Sequence, residues 1–230
     1  MISYIKSRSF LVTSFSPFFK GLLLTFVFAA LLCYFFVDFP LIETLAPHRK
    51  TLRSVLKVAS LLIFPPLHLL VWGVAFLWAR FSHAKERFIL PFFEIFVAQA
   101  FSVAFVRVFK VIIGRARPES FLAYDMTGFD FFSTSHHFHS LPSGHTMAAM
   151  TLAASIALLF PRFRILSFSI ALLLSISRIF LLDHFPSDLF ATGILGIFIA
   201  QAVHLVIKRV TSHKHEGDLS HGNIPTARSR

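Results

Sequence analysis

The sequence predicts an all-α fold, a polytopic membrane protein built as a six-transmembrane-helix bundle. Three observations carry this. Apolar residues make up 56% of the 230-residue chain and charged residues only 14%, which is too apolar for an ordinary soluble domain and too long for a single anchor. The apolar residues collect in six runs, 21–37, 55–79, 88–109, 146–160, 163–182 and 189–207, and a helix crossing a bilayer core needs about 20 such residues. The cations between the runs fall mostly on one side of a chain that crosses six times.

Each run has its own local grammar. Lys6, Arg8 and Lys20 precede the first, as in a signal peptide, but no small-x-small cleavage site follows, so a retained first helix is the reading. The single cysteine, Cys33, lies inside it and excludes an internal disulfide. Pro65-Pro66 is expected to kink the second run. Glu94 and Gln99 sit inside the third; polar groups at membrane depth are expensive, so both are expected to pair within the bundle. The fourth run is short and reaches spanning length only by starting inside the preceding loop. Residues 1–210 then form one membrane domain. Residues 211–230 lack periodicity and read as a disordered basic cytoplasmic tail, with His213 and His215 solvated.

The net charge of +11 could signal nucleic acid or a membrane orientation. The N-terminus, the loop around Arg80, Lys85 and Arg87, the Arg162/Arg164 turn and the tail from Lys208 hold 13 of the 22 cations. They share one face, which places both termini in the cytoplasm. No basic stripe with interleaved aromatics is present, so nucleic acid is not a partner.

Two connections on the opposite, outer face are unusual. The stretch from Lys110 to His145 is long, polar, aromatic and histidine-rich, and loops of that length are more often functional than passive. The other is the short 183–188 link. Around them Lys110, Arg115, Arg117 and Arg178 end two helices at one interface, and their common target should be an anion. Any one of them could simply snorkel to headgroups; four at one face argue for phosphate, which arginine grips with a planar fork and lysine with a point charge. Pro142-Ser143-Gly144-His145 precedes the fourth run, where a helix start would aim free N–H groups at an anion. His184 and Asp188 are four apart, so the carboxylate could accept the imidazole N–H. Such a histidine serves as general base, metal ligand or covalent nucleophile.

Together these residues resemble the type 2 phosphatidic acid phosphatase superfamily. Its three-part signature is matched by Lys110 to Arg117-Pro118, by Pro142-Ser143-Gly144-His145, and by Ser177-Arg178 to His184 and Asp188, in order and at all eleven positions. The resemblance implies a phosphatase acting on a membrane lipid phosphate in the bilayer, without metal or other cofactor. It implies that His184 attacks phosphorus to give a phosphohistidine, that Asp188 orients it, and that His145 protonates the leaving oxygen and then activates water. Lys110, Arg117 and Arg178, with Ser143 and the backbone at Gly144, would bind the phosphate. Candidate substrates are undecaprenyl diphosphate, lipid A phosphate, phosphatidylglycerol phosphate and phosphatidic acid; the Gly-Arg-Ala-Arg-Pro and His-Ser-Leu-Pro-Ser-Gly-His runs resemble members acting on the first two. The site is expected on the outer, periplasmic face of an inner membrane.

Asp183, beside the nucleophile, has two readings: it raises the imidazole's basicity, or it faces water. Arg115 is read as a further headgroup contact. His136, His137 and His139 with Asp125 and Asp130 fit no standard ligand spacing and read as a polar loop over the site. Phe121, Phe129, Phe131, Phe132 and Phe138 cover the site or dip into lipid. Two rival functions remain: a phosphotransferase using the same phosphohistidine, and a non-enzymatic anion transporter, which leaves His145, His184 and Asp188 without a purpose.

Overall fold

A computed structural model describes residues 17–48, 56–58, 60–82 and 88–220, with side chains as far as Ser212. Lys6, Arg8, Lys85, Arg87 and residues 221–230 lie outside the described residues, as do the side chains of His213 and His215. The first helix, α1 (Pro17–Leu32), passes through a π-turn at Cys33–Val37 into α2 (Asp38–Leu45). There follow α3 (Pro65–Phe81), α4 (Ile89–Ile113), a short α5 (Pro118–Tyr124), α6 (Gly144–Leu159), α7 (Arg164–Phe180) and α8 (Pro186–Ser220). No strand is formed among the described residues, only one isolated bridge between Arg115 and Phe129.

Among the described residues five helices are long and apolar enough to cross a membrane: Pro17–His48, Leu56–Phe81, Ile89–Ile113, Pro161–Phe180 and Pro186–Ser212. The sixth expected span, α6, does begin inside the preceding loop, but at 16 residues it is shorter than these. It rises about 24 Å. It is enclosed by protein: α6 is packed against α4, α7 and α8 and buries its face of Ala148, Ala149, Ala153, Ala154 and Ala157. Small residues let helix backbones approach in lipid, where dispersion replaces the hydrophobic drive. Gly196 on α8 is one such contact, since a Cβ there would lie 3.1 Å from the Thr151 amide nitrogen. Large apolar side chains point outward instead, among them Leu24, Phe28, Trp78, Ile165 and Leu173. That distribution is the one a bilayer solvent favours.

At Pro65-Pro66 the expected kink is a full interruption. Phe64 is extended, and α3 restarts with proline in its first turn, where a missing N–H costs nothing. The intramembrane polar groups pair as expected: His204 Nδ1 donates to Glu94 at 2.8 Å, and Gln99 Nε2 to the Ala148 carbonyl at 3.1 Å. The last helix continues to Ser220, ten residues into the segment read as tail. No proline interrupts the chain between Pro186 and Pro225.

Candidate active site

The ends of α4, α7 and the starts of α6 and α8 meet at one end of the bundle, and the long loop folds back over them. Its anchor is Gly114, which ends α4 in the left-handed conformation at φ +55°. A Cβ there would lie 1.6 Å from the Asp130 carbonyl oxygen, so only glycine fits. From this point 114–117 runs as an extended strip that the loop pairs with. Asp130 N donates to Gly114 O (2.7 Å), Ala116 N to Gly128 O (3.0 Å), Arg117 N to His137 O (2.9 Å) and Ser140 N to Arg115 O (3.0 Å). The loop thus fixes Arg117 and Ser140 in one frame.

His184 lies in the α7–α8 link and is almost wholly buried. Its Nδ1–H donates to the Ser140 carbonyl at 2.6 Å, which leaves the lone pair on Nε2. Asp188 stands 4.0 Å from the same nitrogen. The sequence reading therefore needs correction at this contact: the direct partner of the imidazole is a backbone carbonyl, because Asp188 is engaged elsewhere. Its carboxylate accepts from Ser140 Oγ (2.5 Å), from Phe185 N (2.9 Å) and from Arg115. Asp188 and His184 are thus linked through Ser140, whose hydroxyl donates to the carboxylate and whose carbonyl accepts the imidazole N–H. Burial holds the imidazole well below the usual histidine range, and the charges of Lys110, Arg117, Arg178 and His145 push the same way. These four are signature residues far apart in sequence, converging on the proposed nucleophile.

The cations are held differently. Lys110 Nζ donates to the His139 carbonyl at 2.6 Å. Arg178 pairs with Asp183 and donates to Ser60 Oγ at 2.7 Å, which answers the question Asp183 raised: it steadies a neighbouring arginine. Arg117 Nε and Arg178 Nε are buried without a hydrogen-bond partner among the described residues, a costly arrangement unless an anion arrives. Burial and the nearby Arg178 lower the Arg117 pKa, against the pull of Asp183. His145 opens α6, its ring 5.9 Å from that of Phe64. Ser143 is fully buried; its hydroxyl caps α6 at Thr146 N and its amide donates to Thr192 Oγ1 at 2.9 Å. The hydroxyl oxygen thus serves as a helix cap, and Gly144 presents backbone at the helix start.

Arg115 departs from expectation. It is 5% exposed and bound to the carboxylates of Asp38 and Asp188, so it is no headgroup contact. In the loop His137 Nδ1 meets Ser120 Oγ at 3.0 Å and His139 Nε2 donates to Ser133 O at 3.0 Å. Phe131 and Phe132 are well exposed, whereas Phe121 packs against Phe39. Sequence reading missed Asp38, Ser60 and Ser140; only Asp38 carried a signal, as a carboxylate bordering an apolar run.

Comparison with known proteins bears on the family and the fold. Two curated relatives, each named lipid A 1-phosphatase, from Rhizobium johnstonii and Rhizobium etli, are 36% identical over 115 residues. That stretch is 50% of this chain and 47% and 50% of theirs, so the chain spans about half the length of the curated relatives it matches. A solved structure, the transmembrane PAP2-type phosphatidylglycerolphosphate phosphatase of Bacillus subtilis, shares the fold with a TM-score of 0.54 at 20% identity, covering 83% of this chain and 96% of that one. The family model described as PAP2 superfamily matches residues 91–212, more than half of the chain and all of the signature, and the chain belongs to that superfamily.

Proposed function

We propose that the protein is a membrane lipid phosphatase that removes a phosphate from an amphiphile such as lipid A, through a phosphohistidine at His184. One observation carries this most: two buried guanidinium nitrogens, on Arg117 and Arg178, lack partners among the described residues and stand beside a buried neutral imidazole whose Nδ1 is already satisfied. A phosphate monoester fits both needs. Its oxygens take the guanidinium and ammonium donors, with the α6 backbone start at Gly144 adding its dipole, and Nε2 of His184 attacks phosphorus as the P–O bond to the lipid breaks. His145 gives its proton to the leaving oxygen, then takes one from water, whose oxygen attacks the phosphohistidine and releases inorganic phosphate. Lys110, Arg117 and Arg178 stabilise the charge on the equatorial oxygens in both steps.

The lipid preference rests on the relatives' names and is a proposal of the same rank. So is the orientation. Lys20, Arg80, Arg162 and Arg164 stand near helix ends away from the site, and Lys208 lies in the last part of α8; that one-sided distribution supports a site on the outer face of a cytoplasmic membrane with both termini inside.

The test is phosphate release by detergent-purified protein with a chelator present, from lipid A, undecaprenyl diphosphate, phosphatidylglycerol phosphate and phosphatidic acid, beside His184→Ala. Chelator-resistant release that the variant abolishes is the expected result. Release only when an acceptor lipid is added would move the reading to phosphotransfer; no release by folded protein under either condition would overturn it.

A further inference from the structure

The first membrane helix, which lies outside the region matched by the family model, reaches the active site through one buried residue. Asp38 is 1% exposed. Its Oδ1 accepts the Ser187 amide at 2.9 Å, and its Oδ2 accepts Arg115 Nη2 at 2.7 Å and the Ser187 hydroxyl. Arg115 in turn gives Nη1 to Ser187 Oγ at 2.7 Å and to Asp188 Oδ1. One guanidinium therefore bridges two carboxylates, 77 residues upstream and 73 downstream of it. The rings of Phe185, Tyr34 and Phe129 stand around the guanidinium carbon at 4.8, 5.2 and 6.0 Å, which adds cation–π contact and lowers the local dielectric around the ion pairs.

A π-turn immediately precedes Asp38. Such a turn inserts one residue and rotates the helix beyond it by about 100°. Asp38 emerges buried from a run whose Phe35 and Phe36 are exposed. A carboxylate at this depth is expensive unless bound on both oxygens, and both of its oxygens are bound.

We infer that Asp38 and Arg115 are positioning residues of the catalytic centre, forming a clamp that sets Asp188 and, through Ser140, the Nδ1–H tautomer of His184. The chain of contact is continuous: Asp38 holds Arg115 and Ser187, Arg115 holds Asp188, Asp188 accepts the Ser140 hydroxyl, and the Ser140 carbonyl accepts His184 Nδ1–H. The inference rests on the phosphatase reading for its kinetic consequence but not for its structural one.

Asp38→Asn is the informative change. It leaves Arg115 and Asp188 as a balanced pair, so no buried charge is stranded, yet an amide cannot accept on both sides as the carboxylate does. In detergent, with lipid A as substrate, kcat is expected to fall about tenfold to a hundredfold, the range for groups that orient an active-site histidine, while KM stays within about threefold. Nitrogen-15 spectra of histidine-labelled protein should show His184 as a single Nδ1–H tautomer in the wild type and as a mixture in the variant. A kcat within about twofold of wild type, a loss confined to KM, or an unchanged tautomer signal would each overturn the clamp. Should Asp38→Asn fail to fold, Ser187→Ala removes the shared hydroxyl with less disturbance and is judged by the same readouts. If the wild type releases no phosphate, the function proposed above fails, and the tautomer comparison still decides the clamp.

Discussion

Replacing Gly114 with alanine strikes the joint on which the site is assembled. The residue sits at φ +55°, where a side chain costs about 1–2 kcal/mol. The new Cβ would also lie 1.6 Å from the Asp130 carbonyl oxygen and 2.5 Å from its carbon. Both are backbone atoms that no rotamer change can move away. Relief requires the loop to retreat, at an overpacking cost of about 1–3 kcal/mol, so the total is about 2–5 kcal/mol against a typical native margin of about 5–15. The retreat would break the Asp130–Gly114 bond first and then loosen the pairs that hold Arg117 and Ser140. Activity should therefore fall further than stability alone explains. The assay pairs thermal unfolding in detergent with phosphate release below the melting transition. Gly128→Ala is the control: Gly128 also has positive φ, at +76°, but nothing stands within 4 Å of its Cβ position, so it bears only the backbone cost and keeps its turnover. A Gly114→Ala protein indistinguishable from Gly128→Ala in both measurements would refute the steric reasoning.

Two further predictions concern charge. Asp183→Asn removes the carboxylate that steadies Arg178 at the half-buried rim of the site; kcat/KM for a lipid phosphate should fall about tenfold, equivalent to one charge-assisted hydrogen bond of roughly 1.5 kcal/mol, with little change in melting temperature, and unchanged kinetics would remove Asp183 from this role. Burial keeps folded His184 deprotonated well below its ordinary pKa, whereas in the unfolded chain it titrates near about 6.5. The unfolded state therefore binds the proton first, so stability is fully present above about pH 6.5 and is lost as pH falls below it. His136, lowered by Arg117 and then by burial, adds in the same direction. Melting temperature should drop on acidification from about pH 7 to about pH 5, with a shallower slope in His184→Gln; an equal slope would show that the buried imidazole is not the group responsible.

What could be read in the sequence divides by the kind of information each residue carries. Lys110, Arg117, His145, Arg178 and His184 were legible because their identities and spacing are themselves the family signature, which the chain displays directly, and the fold brings the charges of the other four to bear on His184. The apolar runs marked the helices for the same reason: the bilayer acts on composition directly. Ser140 was invisible because its contribution is a backbone carbonyl, which every residue possesses. Asp38 was missed because its meaning depends on a π-turn and on partners more than 70 residues away. The length of α6 could not be judged from its own residues, since whether a short helix suffices depends on the neighbours that enclose it.

Arg115 and Arg117 make the same point at close range. They are two residues apart in one basic motif, and as side chains they have equal claim on an incoming phosphate. The fold separates them by their partners. Arg115 meets two carboxylates inside an aromatic shell, and Asp188 and Asp38, outweighing the effect of burial, raise its pKa. Its charge is thereby consumed in holding other residues still. Arg117 keeps a buried Nε with no hydrogen-bond partner among the described residues, and its pKa is lowered by burial and by Arg178. An anion entering the site would relieve that strain and gains nothing from Arg115. In a bundle where every buried charge is expensive, the arginine that a substrate can use is the one the fold has left incompletely answered.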